Sequence, residues 1–358
     1  MTTDGMAQHI SRTLATKAGR VLRAGPAAEA DAYQQALITA QQWRAQHLGA
    51  TEQCFTQVLA CSHKFENSVA TYRLKRLASI VAKVQRPEAN FKLGELDDIG
   101  GCRLILETVE QVHQAADTLK ARLILKGSDG EKNYIDTPRE SGYRSYHLLT
   151  NNETPEGSYH IEIQIRTKLQ HYWSTAVEAA GEIYGAEYKS METNRVNDEQ
   201  EAERLCFFKI VSSLFALEEH TSPVPGFTDN QHDLRAQLRS LDCAKQLLDD
   251  LQQATDSVLP IETKQNSDKE LFLLKLSRSN QDLDIESYGQ RQLLDAMSQY
   301  SVYEHRIEAS LMGQESEECP YDNVVLVYAR DSKQLEIAYP NYSTNVKQFI
   351  GIVRDYLS

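Results

Sequence analysis

The stretch Ile161-Glu162-Ile163-Gln164-Ile165-Arg166 decides how this chain is read. Alternate residues of an extended strand face opposite ways. Three isoleucines therefore share one side, and an acid, an amide and a base share the other. An all-isoleucine side belongs against a core. A side carrying Glu162, Gln164 and Arg166 belongs against a cleft or water. Upstream, Asp97-Asp98-Ile99-Gly100-Gly101-Cys102-Arg103 sets two carboxylates before a glycine pair and a short apolar run, Gly100–Glu107. Asp98 and Glu162 can converge there across neighbouring strands.

Two converging carboxylates have three uses. They hold a divalent cation beside a triphosphate, one of them serving also as base. They form the acid–base pair of a glycosidase. Or they are solvent-facing partners of salt bridges. The cations nearby favour the first: Arg73, Lys75 and Arg76, then Lys83 and Arg86, then Lys132, Arg139 and Arg144 around the loop Tyr134–His147. Phosphoryl transfer rests on positioning and charge neutralisation, which needs hard acids for metal and several cations for oxygens. In that loop Tyr143 follows Ser141-Gly142, a turn signal where a ring is poorly placed for the core: it is either an ordinary hairpin tyrosine or an exposed platform that stacks on a base. No G-x-x-x-x-G-K-S/T or G-x-G-x-x-G loop is present, so those nucleotide-binding classes are disfavoured. His147 and His171 have no nucleophile elbow beside them, which disfavours acyl transfer.

Around this centre the pattern predicts helices over 8–48, a helix over Val69–Gln85 stopped at Pro87, and a helix from Val109 to Arg122. Strands are expected at Ser145–Thr150 and Tyr159–Thr167, and helices at Leu169–Tyr188, Gln200–Glu219 and 231–255. Strands alternating with helices imply an α/β (α+β) protein with a mixed sheet flanked by helices. Thr255–Lys269 looks like a linker. It divides a domain at 1–255, with its motif core at 65–190, from a small C-terminal ββαβα unit at 265–358. That unit is expected to contain a hairpin (Leu271–Leu276 with Leu283–Tyr288), a helix over Gln290–Leu311 and the strand Asn323–Ala329. Helices around Gln334–Tyr339 and Asn345–Tyr356, capped at Asp331 or Ser332, complete it.

A net charge of −13 disfavours a general nucleic-acid coat protein. Residues 1–90 nevertheless hold eleven Lys/Arg against six Asp/Glu, a balance of +5 that leaves −18 for the rest. Six scattered cysteines show no zinc or disulfide spacing and are expected to be reduced and mostly buried. Met1–His9 has no apolar signal region, and no apolar run reaches the roughly 20 residues of a membrane span. A cytoplasmic protein without a membrane partner is the expectation.

Together these blocks resemble the synthetase domain of the RelA/SpoT family: Arg73-Leu74-Lys75-Arg76-Leu77-Ala78-Ser79-Ile80 with Lys83, then Asp98–Arg103, then Tyr134–His147 with Glu162–Thr167. The resemblance implies a nucleotidyltransferase-like fold and a pyrophosphokinase that uses ATP and Mg2+. It implies Asp98 and Glu162 as catalytic and metal-holding acids, and Arg73, Lys75, Ser79, Arg103 and Lys132 around ATP. Tyr143, His147, Arg139, Arg144 and Gln164 would serve the acceptor. Gly-Tyr-Arg-Ser stands where housekeeping members usually carry Gly-Tyr-Gln-Ser, and Leu169–Glu178 is similar to small, toxin-like members. Ala338-Tyr339-Pro340-Asn341-Tyr342 resembles the Tyr-x-x-Tyr segment of fused toxin–antitoxin members similar to CapRel. The C-terminal unit is then expected to be autoinhibitory, with Tyr339 and Tyr342 in the ATP pocket until a phage or other trigger protein removes it. The acceptor implied is the tRNA 3′-CCA end, with GDP or GTP as the alternative. A catalytically dead ligand sensor is the rival from another class.

Overall fold

The computed structural model describes residues 9–25, 30–86, 90–189, 191, 196, 198–256, 269–277, 282–311, 319–321, 323–330, 334–335, 337 and 343–358. Three helices open the chain: α1 (Arg12–Ala24), α2 (Ala30–Ala45) and α3 (Leu48–Ser62), the last not foreseen as a separate element. Then come β1 (Val69–Leu74), α4 (Leu77–Gln85), β2 (Gly100–Leu106), α5 (Val109–Lys120), β3 (Glu131–Asn133), β4 (Tyr146–Thr154) and β5 (Gly157–Thr167). Four helices follow, α6 (Lys168–Tyr184), α7 (Glu199–Glu218), α8 (Gln231–Arg239) and α9 (Cys243–Asp256). The C-terminal unit supplies β6 (Leu271–Ser277), β7 (Asp282–Tyr288), α10 (Leu293–Leu311), β8 (Asn323–Tyr328) and α11 (Ser343–Leu357), the expected ββαβα order.

Local chemistry accounts for several boundaries. Thr108 caps α5 through the Gln111 amide. Thr167 and Gln170 form a reciprocal capping box, so β5 passes straight into α6. Gly185, at φ 70°, ends α6 four residues before the expected Tyr188. The helix expected over 231–255 is two, α8 and α9, parted at Ser240–Asp242. The larger correction concerns Val69–Gln85. Its first six residues are strand, because Ala70, Tyr72 and Leu74 alternate into the core and both strand edges find partners. Only Leu77–Gln85 is helical. Lateral pairing, invisible to a local periodicity count, overrode the helical pattern.

The eight strands form one mixed sheet in the order β3-β4-β5-β2-β1-β8-β6-β7. Only β2 and β5 pair in parallel, with α5 in the crossover between them. One side of the sheet carries Ile161, Ile163, Ile165, Cys102, Leu104, Tyr72 and Leu326, all buried in the main core with residues of α1–α3, α5 and α10. The opposite side runs His147, Gln164, Arg103 and Thr71 along one row, and Glu162, Gly101 and Arg73 along the next. Farther on the same side turns apolar, with Val327, Phe272, Leu274 and Val325 in a cluster that includes Leu335 and Ile337. A second core joins α6, α7, α8 and α9 to α11 through Trp173, Phe208, Phe215, Leu247, Phe349 and Tyr356.

The two halves divided by the expected linker are thus built into one another. Residues 257–268 lie outside the described set, but β8 pairs with β1 and α11 packs on α6 and α9. Tyr339, Tyr342, Asp331 and Ser332 also lie outside the described residues. Cys54, Cys61 and Cys102 are buried, the other three cysteines are half-buried, and all are free thiols. No helix among the described residues is long and apolar enough to cross a membrane.

If α11 is part of this shared core, Phe349→Ala should destabilise the N-terminal elements too, by about 3–5 kcal/mol. Urea unfolding followed by the fluorescence of Trp43 and Trp173 and by far-UV dichroism should shift together. Separate transitions would show two independent units.

Candidate active site

The sequence places a carboxylate ahead of β2 and another on β5, and parallel pairing brings them together. Gly101 sits opposite Glu162 and Arg103 opposite Gln164. Asp98, Glu162, Arg73, Lys75, Arg103 and Gln164 line one cavity of about 170 Å³. Asp98 Oδ2 accepts from Lys75 Nζ at 3.0 Å and from Lys83 Nζ at 2.7 Å. Burial alone would push its pKa up, but the two lysines outweigh it and hold the group below the ordinary carboxylate value. Glu162 charge acts against Asp98 ionisation, which marks the two acids as near neighbours. Asp98 Oδ1 is buried and has no partner, so it is the oxygen on which a hard cation would fit.

Glu162 is half-buried and still ionised: burial raises its pKa, and His147, Gln164 and Lys83 bring it far below normal. His147 Nδ1 donates to Glu162 Oε1 at 3.0 Å, and Gln164 Nε2 donates to Oε2 at 2.6 Å. On the far side of the imidazole, Tyr143 Oη lies 2.8 Å from His147 Nε2. With Nδ1 protonated, the tyrosine donates to the histidine and the histidine to the glutamate, a chain that fixes the carboxylate in place.

Two loop residues are not where they were expected. Tyr143 is 5% exposed rather than open, because Gly142 (φ 92°) turns the chain beneath α7 and Trp173. It is boxed by Arg139, Arg166 and Lys189, each within 6 Å of its ring centre. Arg144 is also buried and is spent on structure: it donates to Ser212 Oγ, Ile135 O and Ser222 O. The half-buried ring of this loop is Tyr134, with the exposed Arg139 guanidinium 4.7 Å over its face and donating to its hydroxyl. Lys132 is exposed on β3 opposite His147, outside the cavity. Ser79 is half-buried on α4, one turn before Lys83, and also outside it.

Asp97 departs from its neighbour. It pairs with Lys126 Nζ at 2.7 Å and His160 Nδ1 at 2.8 Å. Lys126 and His160 border a larger cavity of about 600 Å³ that neither Asp98 nor Glu162 reaches.

The far wall of the cleft was missed in the sequence. His171, Thr175 and Glu178 project from one face of α6, spaced four and three residues apart. Such a polar stripe on an otherwise apolar helix was the available signal. Glu178 is half-buried, paired with Lys189, and held ionised against burial by Lys189 and Arg103. Burial, with the charges of Arg166 and Arg73, lowers the half-buried Arg103 to about 9. Its Nε and His171 Nδ1 have no hydrogen-bond partner. The cleft is therefore rich in cations and unspent polar atoms, suited to a polyanion.

Residues 72–190 match the family model described as "Region found in RelA / SpoT proteins". Among curated proteins, GTP pyrophosphokinase YjbM of Bacillus subtilis (strain 168) is 36% identical over 110 residues, 29% of this chain and 52% of that protein. GTP pyrophosphokinase YwaC of the same organism is 33% identical over 111 residues, again 29% and 52%. The chain thus spans about half the length of the curated relatives it matches. The solved small alarmone synthetase 1 from Bacillus subtilis bound to its product pppGpp is 29% identical, with a TM-score of 0.34, covering 42% of this chain and 75% of that one.

Because Glu162, Glu178 and Asp98 are all held below their ordinary values, the unfolded chain binds more protons at low pH. The stability these groups contribute is complete above the ordinary glutamate value of 4.5 and is lost as pH falls below it. Urea midpoints measured from pH 7 down to pH 3 should drop, and Glu178→Gln should lower the midpoint at pH 7 while flattening that slope.

Proposed function

We propose that this chain is an ATP-dependent pyrophosphokinase that moves the β,γ-diphosphate of ATP to the 3′-hydroxyl of an acceptor nucleoside. The observation that carries the proposal is the pair Asp98 and Glu162, both ionised, in one cleft with Arg73, Lys75 and Arg103, with Lys83 paired to Asp98, inside a stretch that matches the RelA/SpoT family model. In this reading Lys75, Lys83 and Arg73 neutralise the triphosphate, and Arg103 charges the floor beneath it. Glu162, locked by His147 and Gln164, takes the proton of the acceptor hydroxyl as its oxygen bonds to the β-phosphorus. The bond between the α-phosphorus and the bridging oxygen stays intact, the bond from that oxygen to the β-phosphorus breaks, and AMP leaves.

Mg2+ belongs to the same proposal. Asp98 Oδ1 would hold it, and the ion would neutralise charge on the phosphate oxygens. Among the described residues no cluster of three or more His, Cys, Asp or Glu could hold a metal, so the remaining ligands would come from substrate and water.

The acceptor we favour is GDP or GTP, since the two curated relatives are named GTP pyrophosphokinases. A second reading, the tRNA 3′-CCA end with arrest of translation as its result, draws on the basic balance of residues 1–90. Arg12, Lys17 and Arg20 are exposed on α1, whereas Arg23 is committed to Val84 O, Asn90 and Phe91 O. Exposed cations of this kind attract nucleic-acid phosphates.

Incubation with ATP labelled at the γ-phosphate, plus GDP, GTP or tRNA, tests both. Label in a guanine nucleotide supports the first acceptor and label in tRNA the second; label in neither removes the proposal. Asp98→Asn should lower kcat by roughly a hundredfold or more, since it removes charge stabilisation at the transferring group. Turnover unchanged in that variant would mean the site is elsewhere.

A further inference from the structure

The exit of β1 is where Arg73 and Lys75 enter the cleft, and buried side chains from distant elements hold it. Leu74 N donates to Tyr300 Oη at 2.9 Å, and Tyr300 Oη donates to Glu304 Oε1 at 2.9 Å. Glu304 Oε2 accepts from Arg44 Nη1 at 2.7 Å. Arg44 Nε donates to Lys75 O at 2.6 Å, and its Nη2 reaches Leu74 O at 3.5 Å. Lys75 N donates to Ile99 O at 2.7 Å, immediately after Asp98. The ring of bonds runs from the Leu74 amide through Tyr300, Glu304 and Arg44 back to the Lys75 carbonyl.

This ring is out of water. The Arg44 and Glu304 side chains are 6% and 5% exposed, and the Tyr300 ring lies 4.6 Å from that of Tyr72 on β1. A satisfied buried network is rigid, and losing one member leaves another as an uncompensated charge or orphan donor. Tyr300 and Glu304 are one turn apart on α10, in the C-terminal unit, while Arg44 ends α2. Three elements therefore agree on one backbone geometry, the geometry that brings Lys75 Nζ to Asp98.

We infer that Arg44, Tyr300 and Glu304 are positioning residues for Arg73 and Lys75, so that the C-terminal unit completes the donor-nucleotide half of the cleft. The inference rests on the diphosphate-transfer reading above. It carries a sign: a protein that lifts α10 from the sheet weakens binding of the donor nucleotide, the opposite of releasing an inhibited enzyme.

The test uses the full chain and two variants, Tyr300→Phe and the double substitution Arg44→Met with Glu304→Met. Apolar replacement of a buried ion pair commonly preserves stability, so the double variant separates folding from positioning. Thermal midpoints, KM for ATP, KM for the acceptor, kcat, and affinity for α,β-methylene ATP are measured. The double variant should remain folded, with donor KM and analogue Kd raised about tenfold and acceptor KM nearly unchanged. Tyr300→Phe, which deletes one hydroxyl, should show a smaller rise of the same kind and decides the matter if the double variant does not fold. Donor KM and analogue affinity equal to wild type in a folded variant would overturn the inference while leaving the transfer reading intact. A wild-type chain that neither binds the analogue nor transfers phosphate would remove both.

Discussion

Parallel pairing of β2 with β5 is the constraint from which the rest of the molecule follows. It sets Arg103 beside Gln164 and Gly101 beside Glu162 on the side of the sheet away from the main core. Charges collected there at low solvent exposure must be neutralised locally, because a lone buried charge costs several kcal/mol. The chain answers with Lys75 and Lys83 on Asp98, His147 and Gln164 on Glu162, and Lys189 on Glu178. Asp98 Oδ1, Arg103 Nε and His171 Nδ1 stay without partners, all on side chains that line the cleft. Orphan atoms of this kind are a standing cost to the free protein, which a bound polyanion with its cation would relieve.

Much of this was legible in the sequence because it is carried by local patterns. The alternation over 161–166 gave a strand, its buried side and its polar side without any neighbour being known. The run Gly100–Glu107 and the helix after it were equally local, with Thr108 as a cap. The crowd of cations and the two acids were visible as composition, and their convergence needed only adjacent strands.

What was not legible depends on distant partners. Val69–Leu74 is a strand because β2 and β8 take its two edges, and β8 comes about 250 residues later. Tyr143 follows a turn signal, which argues for exposure, yet Ser212 and Trp173 close over that turn. Arg144 resembled a substrate cation because its three acceptors, on Ile135, Ser212 and Ser222, are spread along the chain. The α6 wall was quoted as a family-like helix, but its polar stripe acquires a purpose only once a cleft is placed beneath it. The seam between the two halves failed as a boundary for the same reason: a polar linker in sequence says nothing about whether the segments it joins share a sheet.

The glycine pair that opens β2 shows how one short motif can hold two separate requirements. A Cβ on Gly100 would come within 2.1 Å of Thr51 Oγ1 and 2.7 Å of Ile161 Cδ1, so that glycine exists to let β2 approach α3 and β5. Gly101 is under no such pressure, since the nearest atom to a Cβ there is Glu162 O at 3.7 Å. It lies between Arg73 on one side and Glu162 on the other, within the row of residues that floors the cleft. Any side chain at that position would stand in the space between the cations and the acid. Packing thus demands glycine at 100, whereas only an occupant of the cleft demands it at 101. Two adjacent identical residues separate what holds the fold from what the fold is for.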